Sequence, residues 1–216
     1  MTVDLITIKE PRSAVAEAFR TLRTNLMFGG HDRSLHALVV TSTAKSDGKS
    51  VALANLAVTF AQSGHSTILV DADLRRPSQH EIWETAGEGG LMYMMYEDRA
   101  IAHPPLVQTP IANLQMLPAG TPPDIPADVL SSQRMNEIIG VLKARADYVL
   151  FDCAPVLAAA DVVLLGSKVD GVLLVVRAGH TRRDHVARSK EALERVNVRL
   201  LGSVLTNAPR ERMRRY

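Results

Sequence analysis

A run of small, polar and cationic residues, Thr41-Ser-Thr-Ala-Lys-Ser-Asp-Gly48-Lys49-Ser50, follows the apolar segment ALVV and leads at once into the helical stretch VALANLAVTFAQSG. Strand, loop and helix in that order is the setting in which a loop turns its backbone N–H groups around phosphate oxygens. The helix N-terminus then adds the positive end of its dipole, Lys49 reaches the β- and γ-phosphates, and Ser50 ligates Mg²⁺. The positions Thr43, Ala44, Lys45, Ser46, Asp47, Gly48, Lys49 and Ser50 are therefore candidate contacts for ATP. Thr43 stands where such loops carry their first glycine, and a Gly-Lys-Ser helix start without a ligand is the plainer alternative.

Two acidic strand ends argue against that alternative. ILVDAD closes one apolar run with Asp71 and Asp73, and VLFDCAP closes another with Asp152. In a parallel sheet, carboxylates at C-terminal strand ends face the ligand crevice. A single such Asp is often a helix cap or turn residue, but three beside a phosphate loop suit Mg²⁺, which takes hard oxygen ligands and keeps several waters. One or two of these carboxylates, partly through water, would complete the shell of such an ion with Ser50 and the phosphates. Replacing Lys49 or Asp152 is expected to remove charge from a solvent-facing site and leave the fold intact.

The elements that must position these residues are legible in the apolar runs LHALVVT (35–41), STILVD (66–71), LQML (114–117), YVLFD (148–152), GVLLVVR (171–177) and RLLGSVLTN (199–207). Near-continuous apolar strands belong to a parallel sheet covered on both faces. Helical patterns at about 50–63, 132–145, 158–167 and 182–196 supply the crossovers, so the fold class is α/β, doubly wound, with a mostly parallel sheet. Gly64 suits the left-handed position that ends the first of these helices, and Thr181 reads as the N-cap of the last. Residues 12–28 read as an extra helix before the first strand, with Pro11 in its first turn. The proline-rich stretch 102–126 reads as surface connection around one strand, and 208–216 as a flexible basic tail.

With 216 residues, 46% hydrophobic and 22% charged, the chain fits a single domain spanning 1–216. A net charge of +2 supplies no field to draw in nucleic acid. One cysteine, Cys153, excludes an internal disulfide and favours a reducing, cytosolic setting. No apolar run approaches the roughly 20 residues of a membrane span.

In these residues the chain resembles the bacterial tyrosine kinases (BY-kinases) that govern capsule and exopolysaccharide synthesis. Leu69-Val-Asp71-Ala-Asp73-Leu-Arg75-Arg-Pro77 is similar to the family's Walker A′ box, and Val149-Leu-Phe-Asp152-Cys-Ala-Pro155 to its Walker B box. LPAGTPPDIPADVLSSQRM (117–135) and DGVLLVVRAGHT resemble further family segments, and Glu17-x-x-Arg20-x-x-Arg23 resembles its oligomerisation motif. Ala44 stands where the related partition and septum-positioning ATPases carry a signature lysine. Where the family's loop has Pro-Gly-Glu before Gly-Lys-Ser, this chain has Lys45-Ser46-Asp47. That substitution leaves the shape of the loop open.

The resemblance implies an ATP- and Mg²⁺-dependent, autophosphorylating protein-tyrosine kinase that regulates polysaccharide polymerisation and export. Lys49, Asp71, Asp73 and Asp152 are then catalytic, with Asp71 as base for the tyrosine hydroxyl, and Ser50, Asp73 and Asp152 are the implied metal ligands, the two carboxylates acting largely through water. Arg75 either neutralises phosphate charge or pairs with a neighbouring carboxylate, and Asn207 either contacts adenine or serves as a turn residue. The implied partners are a membrane-spanning polysaccharide co-polymerase that activates the kinase, other copies of the chain in a ring, and a phosphotyrosine phosphatase. The implied location is the cytoplasmic face of the membrane. Tyr216 is the implied phosphoacceptor, whereas Tyr93 and Tyr96 read as half-buried helix packing. A non-kinase P-loop ATPase switch, related to the chromosome-partition ATPases, is the alternative.

Overall fold

The computed structural model describes residues 4–29, 34–86 and 89–208. Seven strands form one sheet: β1 (Ala37–Ser42), β2 (Thr67–Asp71), β3 (Val107–Gln108), β4 (Leu114–Leu117), β5 (Tyr148–Asp152), β6 (Gly171–Arg177) and β7 (Leu200–Thr206). Their order is β3-β4-β2-β5-β1-β6-β7. Every neighbouring pair is parallel except β3 with β4. The doubly wound, mostly parallel class read from the apolar runs is thus the class observed. The antiparallel β3 is additional, and two residues are too short to leave a periodic signal.

The helices are α1 (Ile6–Lys9), α2 (Ala14–Phe28), α3 (Lys49–Gln62), α4 (Gln79–Ile82), α5 (Gly90–Tyr96), α6 (Arg99–Ala102), α7 (Pro126–Ser131), α8 (Gln133–Lys143), α9 (Asp161–Gly166) and α10 (Arg183–Glu194). Successive residues of the central strands feed opposite faces, as the period of two requires. Val39, Val70, Phe151 and Leu174 enter one core with Met135, Ile138 and Leu142 of α8. Leu38, Val40, Leu69, Leu150 and Leu173 enter the other with Leu53, Leu56 and Phe60 of α3. Burial on both faces explains why these strands are apolar throughout.

Several helix ends differ from the sequence reading. Pro11 lies ahead of α2, whose N-cap is Ser13, its hydroxyl accepting from the Ala16 N–H at 3.2 Å. The N-cap of α10 is Arg182; Thr181 instead bonds the Arg177 N–H and the Asp47 carboxylate. Gly64, at φ 90°, follows the end of α3 in the left-handed conformation expected of it. The register then sets up the site: Val40 and Asp71 are both aligned with Asp152. The phosphate-type loop after β1 and the acidic ends of β2 and β5 therefore meet at one sheet edge.

Candidate active site

The loop between β1 and α3 gets its shape from distant residues. Ser46 and Gly48 both take positive φ, 67° and 84°. Asp47 is buried; its carboxylate accepts from the Ala44 N–H at 3.0 Å and the Thr181 hydroxyl at 2.7 Å. The Thr206 hydroxyl bonds the Asp47 carbonyl at 2.8 Å, and Arg177 bonds the Ser46 carbonyl at 3.0 Å. Asp47 thus faces the protein, so only its backbone remains as a candidate nucleotide contact. Lys45, by contrast, is exposed on the cavity wall.

The cavity beside this loop measures about 480 Å³ and is lined by Lys45, Ser46, Gly48, Lys49 and Ser50, by Asp73, Arg75 and Arg76 after β2, and by the chain after β5. It suits a polyphosphate on three counts. Gly48 caps α3 without any side chain, leaving first-turn N–H groups without a side-chain acceptor. The Thr43 hydroxyl, at the start of the same loop although buried and off the cavity wall, has no hydrogen-bond partner among the described residues. Lysine and arginine outnumber Asp73 on the wall. Asn207, left-handed at φ 52°, is exposed after β7 and does not line this cavity.

Lys49 occupies the centre of the acidic group. Its Nζ lies 2.8 Å from Asp73 Oδ2, 2.8 Å from Asp152 Oδ1 and 3.1 Å from Ser50 Oγ. Burial alone would favour the neutral amine, but Asp152 and Asp73 outweigh it and hold the ammonium well above its ordinary pKa. A hydroxyl and two carboxylate oxygens around one cation are the donors that Mg²⁺ prefers, so Ser50, Asp73 and Asp152 fit the metal assigned to them. Among the described residues no cluster of three or more His, Cys, Asp or Glu could hold a metal alone.

Two expectations need correction here. Of the acidic strand ends only Asp73 lines the cavity; Asp71 and Asp152 are fully buried behind it. Asp152 gives one oxygen to Lys49 and the other to Gln79 Nε2 at 2.7 Å. Asp71 Oδ2 accepts from the Ser78 and Gln79 N–H groups at 2.9 and 2.8 Å, and Oδ1 from the Asp73 N–H at 3.3 Å. Asp152 is consequently part of the buried framework rather than a solvent-facing site, whereas Lys49, also largely buried, lines the cavity. Burial, followed by repulsion from Asp152, pushes the Asp71 carboxyl up to about pKa 7 against the pull of the Gln79 and Ser78 N–H donors.

Arg75 forms a two-pronged pair with the buried Asp161 at 2.7 and 2.9 Å, which resolves its two readings in this conformation toward the carboxylate. Gln79 and Asp161 escaped the sequence reading. Asp161 opens α9 as a first-turn acid, which was a usable cue; Gln79 left none.

On α2 the three charged residues diverge. Glu17 and Arg20 pair along the helix at 2.8 Å, and Arg20 also bonds the Pro11 carbonyl. Arg23 turns onto α3 and bonds the Thr59 carbonyl at 2.9 Å. Of the three residues in the motif, Glu17 and Arg20 thus pair with each other while Arg23 is engaged by α3. Tyr93 is half-buried as expected, with Arg99 5.5 Å from its ring centre, whereas Tyr96 is 73% exposed. The position of Tyr96 at the last turn of α5 leaves it outside the core. Tyr216 and the tail arginines lie outside the described residues. No helix among the described residues is long and apolar enough to cross a membrane.

No family model matches the chain. Similar proteins are nevertheless clear. The chain is 37% identical to the tyrosine-protein kinase YwqD of Bacillus subtilis (strain 168) over 205 residues, 95% of this chain and 86% of the relative. It is 30% identical to the tyrosine-protein kinase CpsD of Streptococcus agalactiae over 189 residues, 88% of this chain and 82% of the relative. The crystal structure of the chimerical protein CapA2B2 superposes with a TM-score of 0.88 at 32% identity, covering 97% of this chain and 93% of the other. With the phosphate loop and both acidic boxes assembled at one sheet edge, and with sequence and fold similarity running through nearly all of its length, this chain belongs to the bacterial tyrosine-protein kinases.

Proposed function

We propose that this kinase uses ATP and Mg²⁺ to phosphorylate itself on tyrosine and thereby tunes the polymerisation or export of a capsular polysaccharide or exopolysaccharide. The observation that carries the chemistry is Lys49, held at 2.8 Å by both Asp73 and Asp152 at the head of the phosphate-type loop. The backbone from Thr43 to Ser50 would cradle the phosphates, and Lys49 would exchange a carboxylate for the β/γ-phosphate oxygens. Mg²⁺ bound by Ser50, Asp73 and Asp152 would neutralise charge that builds on the transferring group.

In the transfer itself, a tyrosine oxygen bonds to the γ-phosphorus while the bond to the β–γ bridging oxygen breaks and ADP leaves. The phenolic proton passes to Asp71. A carboxyl near pKa 7 is well matched to that task, since free phenols lose their proton only near pH 10. Because Asp71 is buried behind Asp73, its access to the phenol requires the turn that carries Asp73 to open.

The acceptor in this reading is Tyr216, presented to a neighbouring copy. About nine residues after Asn207 extend roughly 30 Å, enough to leave one subunit and enter the next. Self-association through the exposed Glu17 and the half-buried Arg20 would keep that neighbour at high effective concentration. Phosphate on Tyr216 would offset the charge of Arg210, Arg212, Arg214 and Arg215 and loosen the ring, and a phosphatase would reset it. A separate membrane-spanning activator would hold the kinase at the cytoplasmic face of the membrane.

Incubation with ATP and Mg²⁺, with and without the activator's cytoplasmic segment, followed by mass spectrometry, tests the reading in one step. Phosphotyrosine that requires Lys49 is the expected product. Phosphate release with no phosphotyrosine under either condition would make the chain an ATPase switch instead.

A further inference from the structure

Behind the acidic group lies a side chain that the phosphate-loop chemistry does not call for. Gln79 opens α4 and is fully buried. Its Nε2 donates to Asp152 Oδ2 at 2.7 Å and to the Ser50 carbonyl at 3.1 Å, while its Oε1 accepts from the Trp83 indole N–H at 3.2 Å. Its backbone N–H donates to Asp71 Oδ2 at 2.8 Å. The sense of each bond is forced by chemistry: an ionised carboxylate and a carbonyl can only accept, and an indole N–H can only donate. The amide orientation therefore follows from its neighbours and not from a choice between oxygen and nitrogen.

We propose that Gln79 is a positioning residue for the phosphoryl-transfer centre, fixing the rotation of Asp152 and the first turn of α3 at Ser50, with the Trp83 indole locking its amide. The inference rests on the reading above that ATP and Mg²⁺ occupy this edge of the sheet. Asp152 has two oxygens with different tasks. Gln79 takes Oδ2, and this leaves Oδ1 aimed at Lys49 and the cavity side. Without the amide, a buried carboxylate loses its only neutral side-chain donor among the described residues and turns toward Lys49 with both oxygens. Lys49 would then be harder to release to the phosphates, and Oδ1 would lose its direction toward the metal. Hydrogen-bonding partners behind a metal ligand commonly change metal affinity or activity by about ten- to a hundredfold.

Trp83 makes this chain of bonds observable, because it is the single tryptophan of the sequence. It lies two hydrogen bonds from Asp152 and is nearly buried. Binding that moves Lys49 off Asp152 or places a cation on it alters the partner of Gln79, and through Gln79 the environment of the indole.

Gln79→Met keeps the length of the side chain and removes both the donor and the acceptor. We expect a fall of about ten- to a hundredfold in kcat for phosphotyrosine formation, or an equal rise in half-saturating Mg²⁺. The KM for ATP should change less than kcat, because Gln79 bonds this loop at the Ser50 carbonyl and not at the N–H groups that would hold the phosphates. Calorimetry should still detect Mg·ADP binding, while the change in Trp83 emission that accompanies it in the unaltered protein disappears. Trp83→Phe serves as a second variant should Gln79→Met not fold; it keeps the ring and lacks the N–H, and should lower kcat in the same direction by about three- to tenfold with KM for ATP unchanged. Unchanged kcat and Mg²⁺ dependence in these variants, with an intact emission response in Gln79→Met, overturns the role of Gln79. Absence of Mg·ADP binding by the unaltered protein overturns the nucleotide reading itself, so the two failures are distinct.

Discussion

Replacing Asp71 by Asn should make the nucleotide-free protein more stable at pH 8 and less stable at pH 4, so that the two stability curves cross. The folded chain protonates Asp71 near pH 7, whereas an unfolded chain does so near 3.8. Between these values the folded state holds the extra proton, so stability falls as pH rises from about 4 to about 7 and is flat above. At about 1.4 kcal/mol per tenfold change in proton affinity, the total is on the order of 4 kcal/mol. Asn carries no ionisation cost. Its carbonyl still accepts from the Ser78 and Gln79 N–H groups, but its amide faces the Asp73 N–H that Oδ1 now accepts at 3.3 Å. Losing that acceptor costs about 1 kcal/mol.

The net expectation is a gain of about 2–3 kcal/mol at pH 8, which for a chain of this size raises Tm by about 4–12 °C, against a loss of about 1 kcal/mol at pH 4. Thermal and urea unfolding followed by circular dichroism in EDTA, from pH 4 to pH 8, measures both. Phosphotyrosine formation should be lost in the same variant, because the base is gone. A pH-independent difference between the two proteins would refute the burial and Asp152 repulsion argued for Asp71. A stabilised variant that keeps full activity would refute its role as base.

Other outcomes follow from the same contacts. Lys49→Met should abolish transfer and also destabilise the fold by about 3–5 kcal/mol, since it leaves Asp152 buried beside Asp73 without a cation; denaturant titration reads this directly. Arg23→Ala should cost about 1 kcal/mol through its bond to the Thr59 carbonyl, whereas the Glu17, Arg20 and Arg23 triple alanine variant should become monomeric by light scattering. Tyr216→Phe should remove most phosphotyrosine by mass spectrometry, and any remainder should map to the exposed Tyr96 before the half-buried Tyr93.

What the sequence disclosed and what it withheld divide along the range of the interactions. The central strands were legible because burial on both faces leaves an unbroken apolar run, and strand ends in such a sheet are where acids and loops collect. Asp71, Asp73, Asp152 and Lys49 could therefore be gathered to one edge before any contact was known. Which of them reaches the cavity could not, because that depends on Gln79 and on the Ser78 N–H, whose positions no local pattern encodes. Short helices such as α4, α6 and α7 escaped for a related reason: four to six residues do not complete two turns of a periodic pattern.

The loop itself makes the point most directly. A proline and a glycine would set its turns locally; this chain has Lys45, Ser46 and Asp47 there, and Ser46 adopts a left-handed φ that most side chains resist. The conformation is held instead by Asp47 against Ala44 and Thr181, by Thr206 on the Asp47 carbonyl and by Arg177 on the Ser46 carbonyl. Apart from the Ala44 bond, which lies within the loop, these clamps come from β6, β7 and the turn before α10, more than 125 residues away along the chain. The loop is thus shaped by tertiary contacts that form only once the sheet is complete, and its shape is coupled to the strand from which the C-terminal segment departs. Asp47→Ala would loosen Ala44, Thr181 and the turn before α10 together, which is why a single loop residue absent from the catalytic roster can still set how well the site is formed.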